Sequence, residues 1–507
     1  MTYANNIKII FQKTSCFVKS FFCGENAVYF ILLMIIFCGT YLRMSTLDAT
    51  QLWIDEGFTI MQHRAIVAHG HPLLMSGLVE WKDVLMPYLL AIFTYTLGGE
   101  NLLLFKYVSA FFGAASIIII FLVVRNLINK NIALITSFMF VFSYWHVAWS
   151  HQIRSYTMVV FFLLLTILFI TYYEKNNQWK YLALAAVSVF FAILAKTSLG
   201  LLLVPAFLLY LLLKRQYAIL LIACVPMLFV GVSFSRLFLN TISDGIVNYG
   251  QQYLLGYLWG YFGLIFLLSI TGWILAFRKD IKNRHIHIML LSIVFTAFLF
   301  FSFFSYISQF RYLFFITPIF FIYSTYFLYF VGRSFSSSKK KSLLITVGIF
   351  LAVLVIDFAS MKSFTYIPQE RYYLEHATPQ PEFFAGYQYI NSVINDNDRI
   401  ISPYPYMDYI FLNRFDYALP ISYTGKETDL NIHYGKEFYT GAQALEDITD
   451  IEEVHNDHDI YFIFDDMGNL RVKENVMKYI NDNAMVMYKK IGNTGQGITV
   501  YKMSQKK

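Results

Sequence analysis

The chain is poor in charged residues and in cysteine. Only 14% of its 507 residues are charged whereas 57% are hydrophobic, a balance outside the range of soluble globular proteins. The four cysteines, Cys16, Cys23, Cys38 and Cys224, give neither a disulfide framework nor the spacing of a metal site. No small-residue cleavage site follows the first apolar run, Ala27 to Leu42, so we interpret this run as an uncleaved span. The composition therefore predicts a polytopic α-helical membrane protein.

Apolar runs of spanning length predict about eleven transmembrane helices. A shorter run, Val84 to Leu97, contains Pro87 and is interpreted as a juxtamembrane helix rather than a span. The predicted spans are Ala27 to Leu42, Leu102 to Val124, Ile132 to Trp149, Tyr156 to Tyr173, Tyr181 to Ala195, Ser198 to Leu213, Ala218 to Phe234, Tyr253 to Phe277, Ile288 to Ser308, Leu313 to Val331 and Ser342 to Ser360.

Basic residues cluster in alternate loops between these runs. Because short cytoplasmic loops carry an excess of lysine and arginine, the pattern predicts a cytoplasmic N-terminus in a plasma or inner membrane. The same loops account for the net charge of +7, so this charge does not indicate that the protein binds nucleic acid. The basic loops are Arg125 with Lys130, Lys175 with Lys180, Lys214 with Arg215, Arg278 to Arg284, and Arg333 with Lys339 to Lys341.

Two domains follow from this reading. Residues 1–360 form a transmembrane module whose first outer loop covers residues 43–101, and residues 361–507 form a polar extracytoplasmic domain. The polar stretch alternates helical runs, Glu382 to Ile394 and Val472 to Asn481, with short strand-like runs. The strand-like runs are Arg399 to Ser402, Ile460 to Phe464, Val486 to Lys490 and Ile498 to Tyr501, so we predict a small α/β fold.

Asp55 and Glu56 lie side by side in the first outer loop. Carboxylates are costly beside a membrane, which favours a functional role over an ordinary acidic loop. Because adjacent side chains diverge, the two acids are not expected to share a proton. A division of labour is expected instead, in which one carboxylate is a general base on an acceptor hydroxyl and the other holds a neighbouring group in place.

Three isolated basic residues, Arg154, Lys196 and Arg311, are predicted at the same face of the membrane. A guanidinium or ammonium at a span end can bind a phosphate, although interfacial snorkelling is the alternative for any one of them. Because basic residues are less common on the non-cytoplasmic side, the presence of all three there argues for anion binding. His69, His71 and Glu80 in the first outer loop are too few and too closely spaced to predict a metal site.

In order along the chain, these motifs resemble the polyprenyl-phosphate-dependent glycosyltransferases of the C-type membrane superfamily. The similarity is to protein O-mannosyltransferases and lipid A aminoarabinose transferases, together family 39. The matching elements are Asp55-Glu56, His71-Pro72-Leu73, Gln152 with Arg154 and Tyr156, Ala195-Lys196 with Gly200, and Arg311-Tyr312 with Pro318. Two elements depart from the family pattern: Leu73 stands where a second proline is usual, and Thr197 where a glycine follows the lysine.

The resemblance implies inverting transfer of a hexosyl or pentosyl group from a polyprenyl-phosphate carrier to a hydroxyl of protein, lipid A or glycan. It implies that Asp55 and Glu56 are catalytic, with Asp55 as the general base on the acceptor and Glu56 orienting the acceptor or a loop residue. It also implies that Arg154, Lys196 and Arg311 bind the donor phosphate, and that the site lies in a membrane-lipid environment. Substrate contacts are expected from His71, Gln152, Tyr156 and Tyr312. No metal or cofactor is required, because fixed cations can stabilise the leaving phosphate. A transporter or flippase of lipid-linked sugars, or a non-catalytic scaffold, is the alternative.

Overall fold

The computed structural model describes residues 25–45, 47–48, 51–220, 251–303, 310–360, 381–421, 432–492 and 497–505. Cys16, Cys23, Cys224 and most of the predicted span Ala218 to Phe234 lie outside them. The helices of the apolar part are α1 (Glu25–Met44), α2 (Ile54–His69), α3 (Leu85–Leu97), α4 (Leu102–Leu127), α5 (Lys130–Phe142), α6 (Tyr144–Ala148), α7 (Tyr156–Asn176), α8 (Trp179–Ala195), α9 (Thr197–Leu201), α10 (Leu203–Leu213), α11 (Gly263–Lys279), α12 (Arg284–Phe303), α13 (Thr317–Phe335) and α14 (Lys339–Ser360).

Within the described residues, five helical segments are long and apolar enough to cross a membrane: α1, α4, α7, α12 and the stretch Arg311–Phe335 that contains α13. Two bent pairs raise the number to seven if each pair is one span. They are α5 with Tyr144–His151, bent by 60°, and Tyr253–Trp259 with α11. Helices α3, α8 and the α9–α10 stretch are apolar but shorter. The chain is thus an integral membrane protein by helix length and composition, but the predicted count of about eleven spans is not confirmed.

The bend between α5 and α6 is stabilised by a buried arginine. Arg43 at the end of α1 donates hydrogen bonds to the carbonyls of Val141 at 3.2 Å and Phe140 at 3.0 Å, in the last turn of α5. These carbonyls have no partner inside the helix, so the guanidinium satisfies them and matches the helix dipole. After the bend, Ser150 packs against Gly113 of α4, where a Cβ atom would lie only 2.3 Å from the serine Oγ. The bend thereby carries the next turn, residues 152–154, toward α2.

The C-terminal domain contains an eight-stranded sheet with the strand order β3-β4-β5-β2-β1-β6-β8-β7 in its described part. Strands β5, β2, β1 and β6 are parallel, and the remaining pairings are antiparallel. The strands are β1 (Arg399–Ser402), β2 (Tyr417–Ala418), β3 (Ile432–His433), β4 (Lys436–Glu437), β5 (Gln443–Ala444), β6 (Ile460–Asp465), β7 (Met485–Ile491) and β8 (Gly497–Met503). The helices are α15 (Phe383–Val393), α16 (Pro405–Leu412), α17 (Ile448–Asp457), α18 (Asp466–Arg471) and α19 (Glu474–Asn483).

The predicted α/β fold is confirmed. Strand β1 has the predicted bounds, and every residue of β6 is buried, as expected for a central strand covered on both faces. The short strands β2 to β5 were not predicted, because two-residue strands carry no periodic signal. The proposed domain boundary at residue 360 lies next to residues that the structure does not describe, so it stays a prediction.

The C-terminal domain packs directly on α2, the helix that carries the acid pair. Phe58 stacks on Tyr439 with ring centroids 4.5 Å apart and contacts Tyr406 at 4.9 Å. Arg64 donates hydrogen bonds to the carbonyls of α16 and to Glu100. At Gly57 a Cβ atom would come within 2.8 Å of the Tyr406 ring, so only glycine permits this approach. The two domains therefore share a tight interface beside Asp55.

Candidate functional site

A polar cavity of about 360 Å³ lies between the helical part and the C-terminal domain. One side is formed by the acid-bearing end of α2, the residues before α3 and the ends of the spans. The other side is formed by residues of the sheet domain. The sequence-predicted residues that line it are Asp55, Arg154, Lys196, Arg311 and Tyr312. Side chains far apart in sequence are thus brought to one cavity.

Two arginines flank the carboxylate of Asp55. Oδ2 lies 3.2 Å from a terminal nitrogen of Arg311 and 3.8 Å from one of Arg154. Arg154 also donates to the backbone carbonyl of Asp55 at 2.6 Å and to Thr59 Oγ1 at 3.2 Å. The Arg311 guanidinium lies over the Trp53 ring, 4.5 Å from its centroid. Within this group of three side chains, two cations share one carboxylate, which leaves one positive charge uncompensated.

Glu56 points away from the cavity and is fully buried. Its Oε2 accepts a hydrogen bond from the backbone N–H of Trp53 at 2.8 Å, which caps the start of α2. Its Oε1 accepts one from the N–H of Ile153 at 2.6 Å. The side chain therefore joins the helix that carries Asp55 to the turn that carries Arg154. Burial raises the pKa of Glu56 to about 7, although nearby Lys106 and the two N–H groups favour its ionised form.

Lys196 is held by an acid that the sequence analysis did not identify. Its ammonium forms an ion pair with Asp83, whose other oxygen accepts the backbone N–H of Thr197 at 2.8 Å at the start of α9. Burial opposes ionisation of Asp83, but the lysine and this N–H outweigh it and lower the carboxyl pKa. Asp83 has a φ of +60°, in the left-handed region that Asp and Asn tolerate. The lysine also lies 5.7 Å from the centroid of the Tyr156 ring.

Aromatic side chains of the C-terminal domain line the side of the cavity opposite the arginines. Tyr404, Tyr406, Phe438 and Tyr439 face it. The turn that carries Tyr439 is ordered by the buried Glu437, whose carboxylate accepts the N–H groups of Tyr439 at 3.0 Å and of the next residue at 2.7 Å. The cavity is thus charged at the helical end and aromatic at the other.

Three predicted substrate contacts lie outside the cavity lining. His71 is partly exposed in its loop and its Nδ1 lies 2.9 Å from the His69 carbonyl. Tyr156 is buried beneath the cavity, with its ring 4.5 Å from that of Trp149. The Gln152 side chain is also fully buried, and neither of its polar atoms has a hydrogen-bond partner among the residues that the structure describes. For these residues direct contact with substrate stays a prediction.

Among the described residues, no group of three or more His, Cys, Asp or Glu side chains is placed to hold a metal ion. That observation does not test the expectation that none is needed. The cavity contains further acids, Glu80 and Asp83, beside Lys82. Sequence reasoning missed Asp83 and the domain's tyrosines. Asp83 could have been identified because it stands beside Lys82 just before an apolar run. No sequence pattern marks the tyrosines of the C-terminal domain as site residues.

Residues 82–239 match the family model described as dolichyl-phosphate-mannose-protein mannosyltransferase. The structure resembles ArnT from Cupriavidus metallidurans bound to undecaprenyl phosphate, with a TM-score of 0.58 and 12% identity over 92% of this chain and 97% of that one. It also resembles the archaeal oligosaccharyltransferase AglB from Archaeoglobus fulgidus, in complex with an inhibitory peptide and a dolichol-phosphate. There the TM-score is 0.56, with 12% identity over 93% of this chain and 74% of that one. No curated protein sequence matches the chain significantly.

At 12% identity, these structural matches establish the fold. The family model matches the segment that contains Asp83, Arg154 and Lys196. Together the two findings confirm the resemblance that the motifs indicated: this chain has the fold of ArnT and AglB, and its residues 82–239, at the candidate site, match the mannosyltransferase family model.

Proposed function

We propose that this protein is an integral membrane glycosyltransferase that takes a sugar from a polyprenyl-phosphate carrier and transfers it to an acceptor hydroxyl. The observation that carries the proposal is the arrangement of Asp55 between Arg154 and Arg311 at the wall of a cavity between two domains. A carboxylate beside cations provides both a base and a site for a leaving phosphate. The family-model match and the fold support this reaction class.

The donor phosphate binds at the helical end of the cavity in this proposal. A sugar phosphodiester carries one negative charge, which matches the single positive charge that Asp55 leaves uncompensated on the two arginines. Guanidinium groups are suited to this role because their planar fork can hold two phosphate oxygens. As the glycosidic bond breaks, the leaving phosphate gains negative charge, so fixed cations stabilise the transition state more than the ground state.

Asp55 accepts the proton of the acceptor hydroxyl as that oxygen bonds to the anomeric carbon. The sugar–phosphate bond breaks on the opposite side, which inverts the anomeric configuration. The closest approach of each arginine is to Oδ2. Oδ1 is therefore the oxygen that we assign to the acceptor. The acceptor enters from the aromatic end, beneath Tyr406 and Tyr439.

Asp55→Asn tests the assignment. Asparagine keeps the size of the side chain but cannot act as a base at neutral pH, so transfer should be lost while the protein remains folded. The assay follows labelled sugar from a panel of prenyl-phosphate sugars into acceptor hydroxyls. Asp396→Asn, the same change at an exposed loop position, serves as the control. Wild-type turnover in Asp55→Asn would contradict the role of Asp55.

A lipid-linked sugar transporter is the second candidate, because the structure contains two bent helix pairs and broken helices are common in transporters. In that case the purified protein in vesicles would move the labelled donor between leaflets without cleaving it. Scoring cleavage and translocation in the same vesicles distinguishes the two functions.

A further inference from the structure

A second cavity, of about 480 Å³, lies at the opposite ends of the same helices. Along α7, Tyr156 lies near the candidate site and Lys175 lines this second cavity, so the two are about 28 Å apart at a rise of 1.5 Å per residue. That is close to the thickness of the hydrocarbon core of a bilayer, roughly 30 Å. The second cavity is therefore separate from the candidate site and lies at the other membrane interface, which the charge pattern predicts to be cytoplasmic.

Four basic residues from separate segments line this cavity: Arg125, Lys130, Lys175 and Lys282. They come from the end of α4, the start of α5, the end of α7 and the loop before α12. The positive-inside rule explains basic residues at these helix ends. It does not require that they surround a single cavity. Asn126 of the wall donates to Thr171 Oγ1 at 3.1 Å, which ties α4 to α7 there.

Among the described lining residues the acid is Glu174, and it does not neutralise Arg125, Lys175 or Lys282. The carboxylate of Glu174 binds Lys214 at 3.0 Å and accepts the hydroxyl of Tyr210 at 2.8 Å. In the part of the chain that the structure describes, no ion pair joins Arg125, Lys175 or Lys282 to a carboxylate. The cavity therefore has an excess of positive charge and takes an anion.

An exposed apolar stripe begins at the rim of the cavity. Tyr29 of α1 contributes to the lining, and Leu33, Phe37 and Tyr41 follow it at four-residue spacing, each at least 48% exposed. Residues four apart lie on one face of a helix, so the stripe extends about 18 Å along α1. An acyl chain that lies on this stripe would have its headgroup at the cavity.

We propose that the second cavity binds the phosphate headgroup of an anionic phospholipid from the adjacent leaflet. Basic pockets between transmembrane helices are suited to such headgroups. The phosphate lies among the four basic side chains and the acyl chains run along the exposed face of α1. The site is independent of sugar transfer.

Native mass spectrometry of the purified, delipidated full-length protein tests the proposal. The protein is titrated with phosphatidylglycerol, and with phosphatidylcholine as the zwitterionic comparison. In the triple variant Arg125→Gln/Lys175→Gln/Lys282→Gln, affinity for phosphatidylglycerol should fall by roughly a hundredfold, at about fivefold for each basic side chain. The single variant Lys282→Gln, expected to lose about fivefold, replaces it if the triple variant does not fold.

The matched control is Lys339→Gln/Lys340→Gln/Lys341→Gln, which removes the same charge at the start of α14, outside the cavity lining. It should retain wild-type affinity. Equal losses in both triple variants would show diffuse attraction to a basic surface and overturn the site. Inorganic phosphate and glycerol phosphate are added as competitors. If either displaces the lipid at equal concentration, the cavity binds a soluble anion and the lipid assignment is wrong.

Discussion

The buried carboxylate of Glu56 predicts a pH dependence that can be traced to two hydrogen bonds. Both of its oxygens accept backbone N–H groups, from Trp53 and from Ile153. In a protonated carboxyl one of the two oxygens is a hydroxyl, which accepts a hydrogen bond more weakly than a carboxylate oxygen does. Protonation therefore weakens one end of the link between α2 and the turn that carries Arg154. The ionised form of Glu56 therefore holds Asp55 and Arg154 in their positions relative to each other.

With a pKa of about 7, Glu56 is ionised in about one molecule in ten at pH 6. If transfer needs the intact link, the wild-type rate at pH 6 should be roughly tenfold below that at pH 8. Stability should change in the opposite direction. Because the pKa is raised from 4.5, the folded state holds more protons between pH 4.5 and 7, so the free energy of unfolding falls as the pH rises through that window. The full change is about 3 kcal/mol.

Glu56→Gln isolates this effect. The amide oxygen can accept one N–H, but the amide nitrogen then faces the other donor, at a cost of about 1–3 kcal/mol. The variant should be slower than wild type at pH 8 and should lose the pH dependence between 6 and 8. Initial rates of donor consumption are measured from pH 5.5 to 8.5, where the donor phosphodiester has no second proton to lose.

Asp408→Asn is the matched control, since burial also raises the pKa of Asp408 to about 7. Its carboxylate accepts the hydroxyls of Tyr387 and Ser402 inside the C-terminal domain and does not line the cavity. This variant should keep the rise in rate between pH 6 and 8. A rise of the same size in Glu56→Gln would refute the reasoning.

Three further changes have defined outcomes. Arg311→Lys replaces the planar guanidinium over the Trp53 ring with a point charge. It should lower kcat, measured at saturating donor, by about a hundredfold or more. An unchanged kcat would exclude a phosphate-binding role for Arg311. Asp83→Asn keeps a residue that tolerates a φ of +60° but removes the charge that holds Lys196, so the KM for donor should rise by about tenfold with a smaller effect on kcat. Gly57→Leu forces a side chain into the Tyr406 ring of the C-terminal domain. It should lower the free energy of unfolding by about 1–3 kcal/mol, which a thermal unfolding assay detects as a lower Tm. An unchanged Tm would contradict the contact between the two domains.

The sequence alone determined the membrane character of the chain, the sheet domain and the residues most worth testing. Helical runs and strand β1 were predicted because hydrophobic length and period are local properties of a sequence. The acid pair and the isolated cations Arg154, Lys196 and Arg311 were identified because charge is rare in the membrane part. The number of spans was not predictable in the same way, since bent pairs such as α5 with α6 depend on a partner, Arg43, that lies on another helix.

Only the tertiary structure decided which of these residues act together. It separated Asp55, which faces the cavity, from Glu56, which faces the protein interior, although the two are neighbours in the chain. It paired Lys196 with Asp83 and placed tyrosines of the C-terminal domain over the site. The physical reason is that a cavity is formed by side chains distant in sequence, and no local pattern encodes which of them approach one another.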